Sequence, residues 1–379
     1  MEKIKNLHIA TERVKLAIKN GERIILYGDS DLDGIASVVM MKEIIEALGG
    51  IVDVVCFPNR EQDGYGINMN ALNFLKDKSP ALFITLDLGT ANVEEVVAAN
   101  SMGFEVIIID HHNPLLKIPE AKILVNPKLD GNTQDFKELC NGGVVWYFAE
   151  EAFENKIPET LGNSLLTLAS LASISDMVVQ VAYNKEIIEK GLKALEETSR
   201  LGLQAFSDIF GKLRTNTQKI ISSLNTAESS HFQNASYLLL TSDSFEECET
   251  IARELADKMF YKQEQIKSIT AEVERRISGK LDELVIFEGD PAWKSILAGS
   301  VASVIAAKYR KPCFIFKRMD EESVGSVRSL REGESAVEAL KHCAEVLVSY
   351  GGHPKAAGFR VKNKNLEKFK NKLTEYFKR

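Results

Sequence analysis

The 379-residue sequence predicts an α/β protein of two domains, an N-terminal doubly wound parallel sheet and a smaller C-terminal α/β domain joined to it by a long helix. Three observations predict this. Short apolar runs alternate with helical periodicity over the first third of the chain. The pattern is helical throughout from about residue 140 to 279, and alternation returns from about 281. Short unbroken apolar runs separated by helices mark strands buried on both faces, which is the arrangement of a parallel sheet covered by helices on each side.

The elements follow in order. Strands are expected at 23–27, 51–57 ("IVDVVCF"), 81–87 ("ALFITLD") and 105–110 ("EVIIID"), with helices near 35–48, 68–76 and 92–102. The helical block ends in "SFEECETIARELADKMFYKQEQIKSITAEVERRI", one extended connecting helix. Beyond it, strands are expected at 284–287, 312–317, 323–328 and 355–361, and helices at 293–310, 334–349 and 365–378. The resulting division is a first domain over 1–243, a connecting helix over 244–280 and a second domain over 281–379.

Composition narrows the class. The chain is 27% charged and 45% hydrophobic, as soluble globular proteins are. No apolar run approaches the ~20 residues that cross a bilayer, and "MEKIKNLHIATERVK" lacks the apolar core of a signal peptide. Cys56, Cys140, Cys248, Cys313 and Cys343 are scattered without a C-x-x-C pair, so reduced thiols in a cytoplasmic protein with no membrane partner are expected. Net charge is -7 but unevenly placed: residues 281–379 hold 18 Lys and Arg against 13 Asp and Glu, and the first 280 hold 29 against 41. An acidic N-terminal part beside a basic C-terminal part suits a metal-rich domain with a phosphate-binding domain attached.

The acids recur where predicted strands end. The first strand runs into Asp29-Ser30-Asp31-Leu32-Asp33-Gly34, the third into "TLDLGTAN" with Asp87, the fourth into "IIIDHHNP" with Asp110, His111 and His112. The helical run "TLASLASISDMV" delivers Asp176. A calcium loop also opens D-x-D-x-D-G, but its twelfth position here is Met40 and the stretch follows a strand. A phosphate loop is excluded because neither G-K-[ST] nor G-x-G-x-x-G is present here. In a doubly wound sheet the carboxyl ends of the strands share one edge, so these acids converge on one cleft. Carboxylates gathered in this number, with only two imidazoles among them, repel one another unless a cation offsets them. Oxygen-rich ligands with one or two nitrogens and no thiolate favour Mn²⁺ or Mg²⁺ over Zn²⁺, and two ions ~3.5–4 Å apart sharing one carboxylate form a hydrolase centre.

The motifs "GDSDLDG", "LDLG", "DHHNP" and "SISD" resemble the four ordered motifs of the DHH phosphoesterase superfamily, and "GSVRS" and "GGHPKAAGF" resemble its DHH-associated domain. "FPNREQDGYGIN" and Tyr27, where oligoribonucleases and cyclic-dinucleotide phosphodiesterases of the superfamily usually have histidine, are similar to the RecJ-like single-strand exonucleases. The resemblance implies a metal-dependent exonuclease hydrolysing phosphodiesters from the end of single-stranded DNA, and RNA as a further substrate, with two Mn²⁺ or Mg²⁺ ions. It implies Asp31, Asp33, Asp87, His111 and Asp176 as metal ligands, Asp87 as the bridge and Asp29 completing the shell. Asp110 would hold the histidine pair and His112 would reach the scissile phosphate. Arg60, Ser326, Arg328, Ser329, the turn Gly351-Gly352 and His353 would bind substrate. Protein partners in replication or repair are also implied. Many relatives carry N-A-x-G-R where this chain reads "ISSLNTAESS", and bacterial ones an OB-fold after the second domain, so a compact form is expected. The alternatives are a phosphodiesterase for dinucleotides or short RNA, and a non-catalytic replication scaffold of the Cdc45 type that has lost ligands.

Overall fold

The computed structural model describes residues 4–114, 117–226, 228–280, 282–331, 333–352 and 354–378. The chain forms two compact units, Met1–Met259 and Phe260–Arg379, and the division falls inside the helix Phe245–Ile277.

The first unit is built on five parallel strands: β1 Ile24–Gly28, β2 Val54–Cys56, β3 Ala81–Leu86, β4 Phe104–Ile109 and β5 Ile123–Val125, in the order β2-β1-β3-β4-β5. β1, β3 and β4 are almost wholly buried, which is why they read as unbroken apolar runs. Their side chains alternate between two cores. Ile24 and Leu26 of β1 join Leu82, Ile84 and Ile107 under the helices Leu7–Asn20, Leu32–Ala47, Asn141–Ala152 and Glu159–Ser175. Ile25, Tyr27, Phe83 and Ile108 pack under Met69–Leu75 and Val93–Ser101. Helices on both faces make the sheet doubly wound. The chain leaves β1 for β2 on one side and returns to β3 on the other, so strand order reverses between the carboxyl ends of β1 and β3.

Two elements of this unit carry no strong sequence signal. Helix Leu7–Asn20 buries a narrow stripe of Leu7, Ala10, Val14 and Ala17, and β5 has only three residues. Between the helices of the following block lies a minimal hairpin, β6 Ser229–Ser230 with β7 Gln233–Asn234.

The second unit carries β8 Ile286–Asp290, β9 Cys313–Arg318, β10 Glu322–Arg328, β11 Leu347–Gly352 and β12 Ala356–Lys362, in the order β11-β12-β10-β9-β8. β8 pairs parallel with β9 and the other pairs are antiparallel. Phe314, Phe316, Val327, Phe359 and Phe369 fill one face, and Ile286, Cys313 and Ile315 pack with Val301, Ile305 and Val273 on the other. The helix expected at 334–349 is shorter. It spans Ala336–His342, a 3-10 turn covers Ala344–Val346, and the chain then enters β11. "LVSYGG" pairs with β12, and its β-branched and aromatic residues suit that edge, so strand pairing overrides the helical periodicity.

Candidate metal centre

Each acid is placed by a backbone terminus. β1 ends at Gly28, and Asp29 follows with its N–H donated to Leu86 O at 3.2 Å. Asp31 caps the helix Leu32–Ala47, accepting from Gly34 N at 3.2 Å. Gly34 is required, because a Cβ there would lie 2.4 Å from Asp29 O. Asp33, in the first turn, reaches the start of a second helix, Asn141–Ala152, and accepts from Asn141 N at 2.8 Å and Gly142 N at 2.7 Å. Those amides are helix-terminal donors without intrahelical partners, and they favour a carboxylate. A Cβ on Gly142 would sit 2.8 Å from Ala172 Cβ and 3.3 Å from Asp33 Oδ1, so glycine is what lets the helix end approach.

Asp87 follows β3 in the left-handed conformation, φ 65°, its N–H donated to Ile109 O at 3.0 Å. With its amide turned to satisfy both neighbours, Asn141 accepts from Asp87 N at 2.9 Å. Asp176 caps the end of helix Glu159–Ser175 and is 39% exposed at its side chain. His111 lies among the acids, Nε2 3.2 Å from Asp87 Oδ1 and 3.6 Å from Asp33 Oδ2, and Nδ1 3.9 Å from Asp176 Oδ2. Three groups thus have ligand atoms mutually within 4.8 Å: Asp29, Asp31 and Asp87; Asp87, His111 and His112; Asp33, His111 and Asp176. Asp87 and His111 each belong to two of them.

The electrostatics show what this cluster lacks. Burial, then the charge of Asp176 and Asp31, pushes Asp33 up to about 8. Burial and the neighbouring Asp33 and Asp31 raise Asp87 well above the carboxylate range, and burial with Asp31 lifts Asp176 to about 6. Asp87 Oδ1 is buried and accepts no hydrogen bond of good geometry, although His111 is close. Burial and the neighbouring His112 hold His111 down at about 3, so its imidazole is neutral and free to act as a ligand. Buried acids with raised pKa values, an orphaned carboxylate oxygen and a neutral imidazole form a donor set that fits a hard divalent cation.

Asp110 does a different job. Its Oδ1 accepts from His111 N at 2.7 Å, His112 N at 3.1 Å and His112 Nδ1 at 2.8 Å, and its Oδ2 accepts from Thr90 N at 2.9 Å. Burial alone would raise it, but these donors, His112 foremost, hold it below the usual range. The same bond raises His112, whose ring is 57% exposed. Asn126, just past β5, ties Thr90 Oγ1 and His112 O together at 2.9 Å each.

Arg60 enters the cluster from the segment after β2. Its guanidinium bonds Asp29 through Nε at 2.7 Å and Nη2 at 2.5 Å, and Asp31 through Nη2 at 2.8 Å. Asp31 is accordingly lowered, burial being outweighed by Arg60 and the Gly34 amide. The acids nearest β1 therefore have a cation of their own, and those left with raised pKa values are Asp33, Asp87 and Asp176, the last eased in part by His112 and Lys128. Tyr27, singled out in the sequence, is buried; it donates to Gly66 O at 3.2 Å and accepts from Asn68 Nδ2 at 3.0 Å, anchoring the Gly-Tyr-Gly segment.

In the second unit, Arg328 ends β10 and donates to Ser303 Oγ at 3.1 Å and Val327 O at 3.0 Å. No carboxylate lies within 4.0 Å of it among the described residues, and burial lowers its pKa. A Cβ on Gly299, at the start of helix Ala298–Tyr309, would lie 2.8 Å from Arg328 Nη2 and 3.5 Å from Ser326 Oγ. Ser326 and Arg328 share a face by the two-residue period of a strand. Ser329 turns inward, is fully buried and donates to Glu334 at 3.1 Å. Gly351 and Gly352, expected in a turn, end strand β11 opposite Gly358 and Ala357. Gly352 has φ 138° and a Cβ there would meet Ala356 O at 2.5 Å. His353 lies outside the described residues.

Sequence reasoning did not reach Asn141 and Gly142, the Asn126–Thr90 brace or the Arg60 pairs. The one usable signal was "CNGG", a glycine pair at a helix start.

Residues 23–173 match the DHH family, N-terminal domain, and residues 282–379 match the DHHA1 domain. The chain is 32% identical over 382 residues to the single-stranded-DNA-specific exonuclease RecJ of Bacillus subtilis (strain 168), covering 98% of this chain and 48% of that protein. It is 28% identical to the RecJ of Thermus thermophilus, covering 98% of this chain and 54% of the relative. The chain thus spans about half the length of these curated relatives. A crystal structure of exonuclease RecJ bound to manganese superimposes with a TM-score of 0.81 at 26% identity, covering 100% of this chain and 95% of that one.

Proposed function

The chain belongs to the DHH family, and from that premise we propose that it is a metal-dependent, RecJ-like exonuclease hydrolysing phosphodiester bonds at the end of single-stranded nucleic acid. The observation that carries this reading is Asp87: a buried carboxylate with one unpartnered oxygen, at the point where strand order reverses, inside two of the three ligand groups.

On this reading Asp29, Asp31, Asp33, Asp87, His111 and Asp176 hold two manganese or magnesium ions, Asp87 offering an oxygen to each. Bound ions would supply Lewis-acid charge at the phosphoryl oxygens and a more acidic water. The chain's own residues do the rest. The Asn141 and Gly142 amides aim Asp33, and Asp110 fixes the His112 ring and raises its pKa. In its protonated form His112 would donate to a non-bridging phosphate oxygen. Arg60 orders Asp29 and Asp31 and would also contact the substrate backbone. In the second unit Arg328 and Ser326 bind a backbone phosphate, because a half-buried guanidinium without a carboxylate partner is completed by an anion. Gly351, Gly352 and His353 supply further substrate contacts.

The proposed division of labour is catalysis by 1–243, a connecting helix over 244–280 and substrate binding by 281–379. No helix among the described residues is long and apolar enough to cross a membrane. A cytoplasmic setting with replication or repair partners is proposed with the activity. The test is digestion of DNA and RNA oligomers labelled at either terminus, with Mn²⁺. Progressive shortening of single strands from one end, with duplex spared, supports the reading, and no cleavage of any oligomer overturns it. Cleavage of dinucleotides alone would favour a small-substrate phosphodiesterase.

A further inference from the structure

A depression of about 480 Å³ opens beside the metal centre, with His111 and Asp176 in its wall. Its other walls come from two places: the segment after β5, bearing Lys128 and Lys137, and the residues just past Asp176, bearing Met177 and Val179. Its volume is that of a small-ligand site. Three features mark it, and Lys128 also lies close enough to Asp176 and His111 for its charge to lower both their pKa values. Lys128 and Lys137 are half-buried, yet neither has a carboxylate within 4.0 Å among the described residues. Glu138, on the same wall, is engaged by Gln134 Nε2 at 3.1 Å.

The second feature is exposed apolar surface: Met177 is 87% and Val179 55% exposed. The third is backbone strain. Helix Glu159–Ser175 ends in the glycine-type stop, with Met177 N donated to Ile174 O and Val178 N to Ser173 O, both at 3.2 Å. The residue after the cap of such a stop is left-handed and is usually glycine. Here it is Met177, at φ 53°. A large apolar side chain is held in an unfavourable conformation with almost none of it packed, one residue from a proposed metal ligand. Strain of that kind persists where the displayed side chain has a use.

We propose that this depression is a nucleotide subsite, with Lys128 and Lys137 taking a phosphate and Met177 and Val179 forming the apolar face on which the base rests. Ammonium groups serve as point charges for phosphate, and a polarizable thioether makes good contact with an aromatic ring. The occupant is either the mononucleotide just released or the neighbouring nucleotide of the bound strand. The inference rests on the nuclease reading, and its test has a readout independent of turnover.

Binding of dAMP to the full chain loaded with Mn²⁺ is measured by calorimetry, alongside KM for oligomers of decreasing length. Lys128→Gln with Lys137→Gln weakens dAMP binding tenfold or more if the product occupies the subsite. The same pair raises KM tenfold or more, with dAMP binding unaffected, if the inner nucleotide of the strand does. Met177→Gly is the control for folding: it relieves the strained conformation, so the variant melts no lower than the parent while the same constant weakens at least threefold. Unchanged dAMP affinity and unchanged KM in both variants overturn the subsite. A parent that binds dAMP and loses it in the variants, yet hydrolyses nothing, overturns the nuclease reading alone.

Discussion

Replacing Asp110 by asparagine keeps the shape of the side chain and removes its charge. Asp110 Oδ1 receives three donors and Oδ2 receives Thr90 N. The single oxygen of an asparagine can serve the His111 and His112 donors, and its NH₂ group then faces the Thr90 N–H. A buried amide left without an acceptor costs about 1–3 kcal/mol. The bond to His112 also changes from charge-assisted to neutral, a further loss of about 1 kcal/mol. Together Asp110→Asn destabilises by roughly 2–4 kcal/mol, read by urea denaturation of the metal-free protein. The sign of its pH dependence follows from His112. The folded-state pKa of His112 is raised above 6.5, so the stabilisation from the pair is complete below 6.5 and is lost as pH rises through the raised value. The gap between parent and variant is therefore widest near pH 6 and narrows on the alkaline side. Activity with saturating Mn²⁺ falls about 10- to 100-fold, the usual cost of removing a group that orients the residues of a metal site. A variant as stable and as active as the parent at every pH refutes the role given to Asp110.

Other outcomes follow from the same geometry. Asp87→Asn lowers hydrolysis at least about 100-fold. Because it removes a repelled, unpartnered carboxylate, the metal-free variant melts at or above the parent by calorimetry, and a markedly lower melting point contradicts the electrostatic account. Arg328→Ala raises KM roughly 10- to 100-fold, the worth of a charge-assisted phosphate contact, without moving the Mn²⁺ titration midpoint; an unchanged KM counts against the second unit's anion site. Chelation abolishes activity, and Mn²⁺ restores it better than Ca²⁺. Titrating Mn²⁺ into metal-free protein at pH 7 releases protons, because Asp33 is raised to about 8 and must lose its proton to ligate, and calorimetry in buffers of different ionisation heats detects this.

Much of the fold was legible because β1, β3 and β4 are buried on both faces and leave unbroken apolar runs. The acids were legible for a related reason: each motif acid sits at or just beyond an element end, and parallel topology gathers strand ends at one edge. What escaped depends on tertiary contacts. β5 is too short to show a period, yet it positions Asn126 and through it the His112 carbonyl. The Asn141–Gly142 helix end meets Asp33 across 108 residues of sequence, and no local pattern reports that. Arg60 lies 31 residues from Asp29, so the cluster looked less compensated than it is. In the second unit, helical spacing at 334–349 misled because β12 offers β11 a partner, and Ser329 was grouped with Ser326 although strand alternation turns it inward.

In the proposed centre Asp87 shares two cations with the acids and the imidazole around it. Anomalous diffraction from crystals grown with Mn²⁺ tests this directly. Two peaks are predicted, both within bonding distance of Asp87, with Asp31, Asp33, His111 and Asp176 completing their shells. No peak among these side chains, or carboxylates turned away from one another, would contradict it.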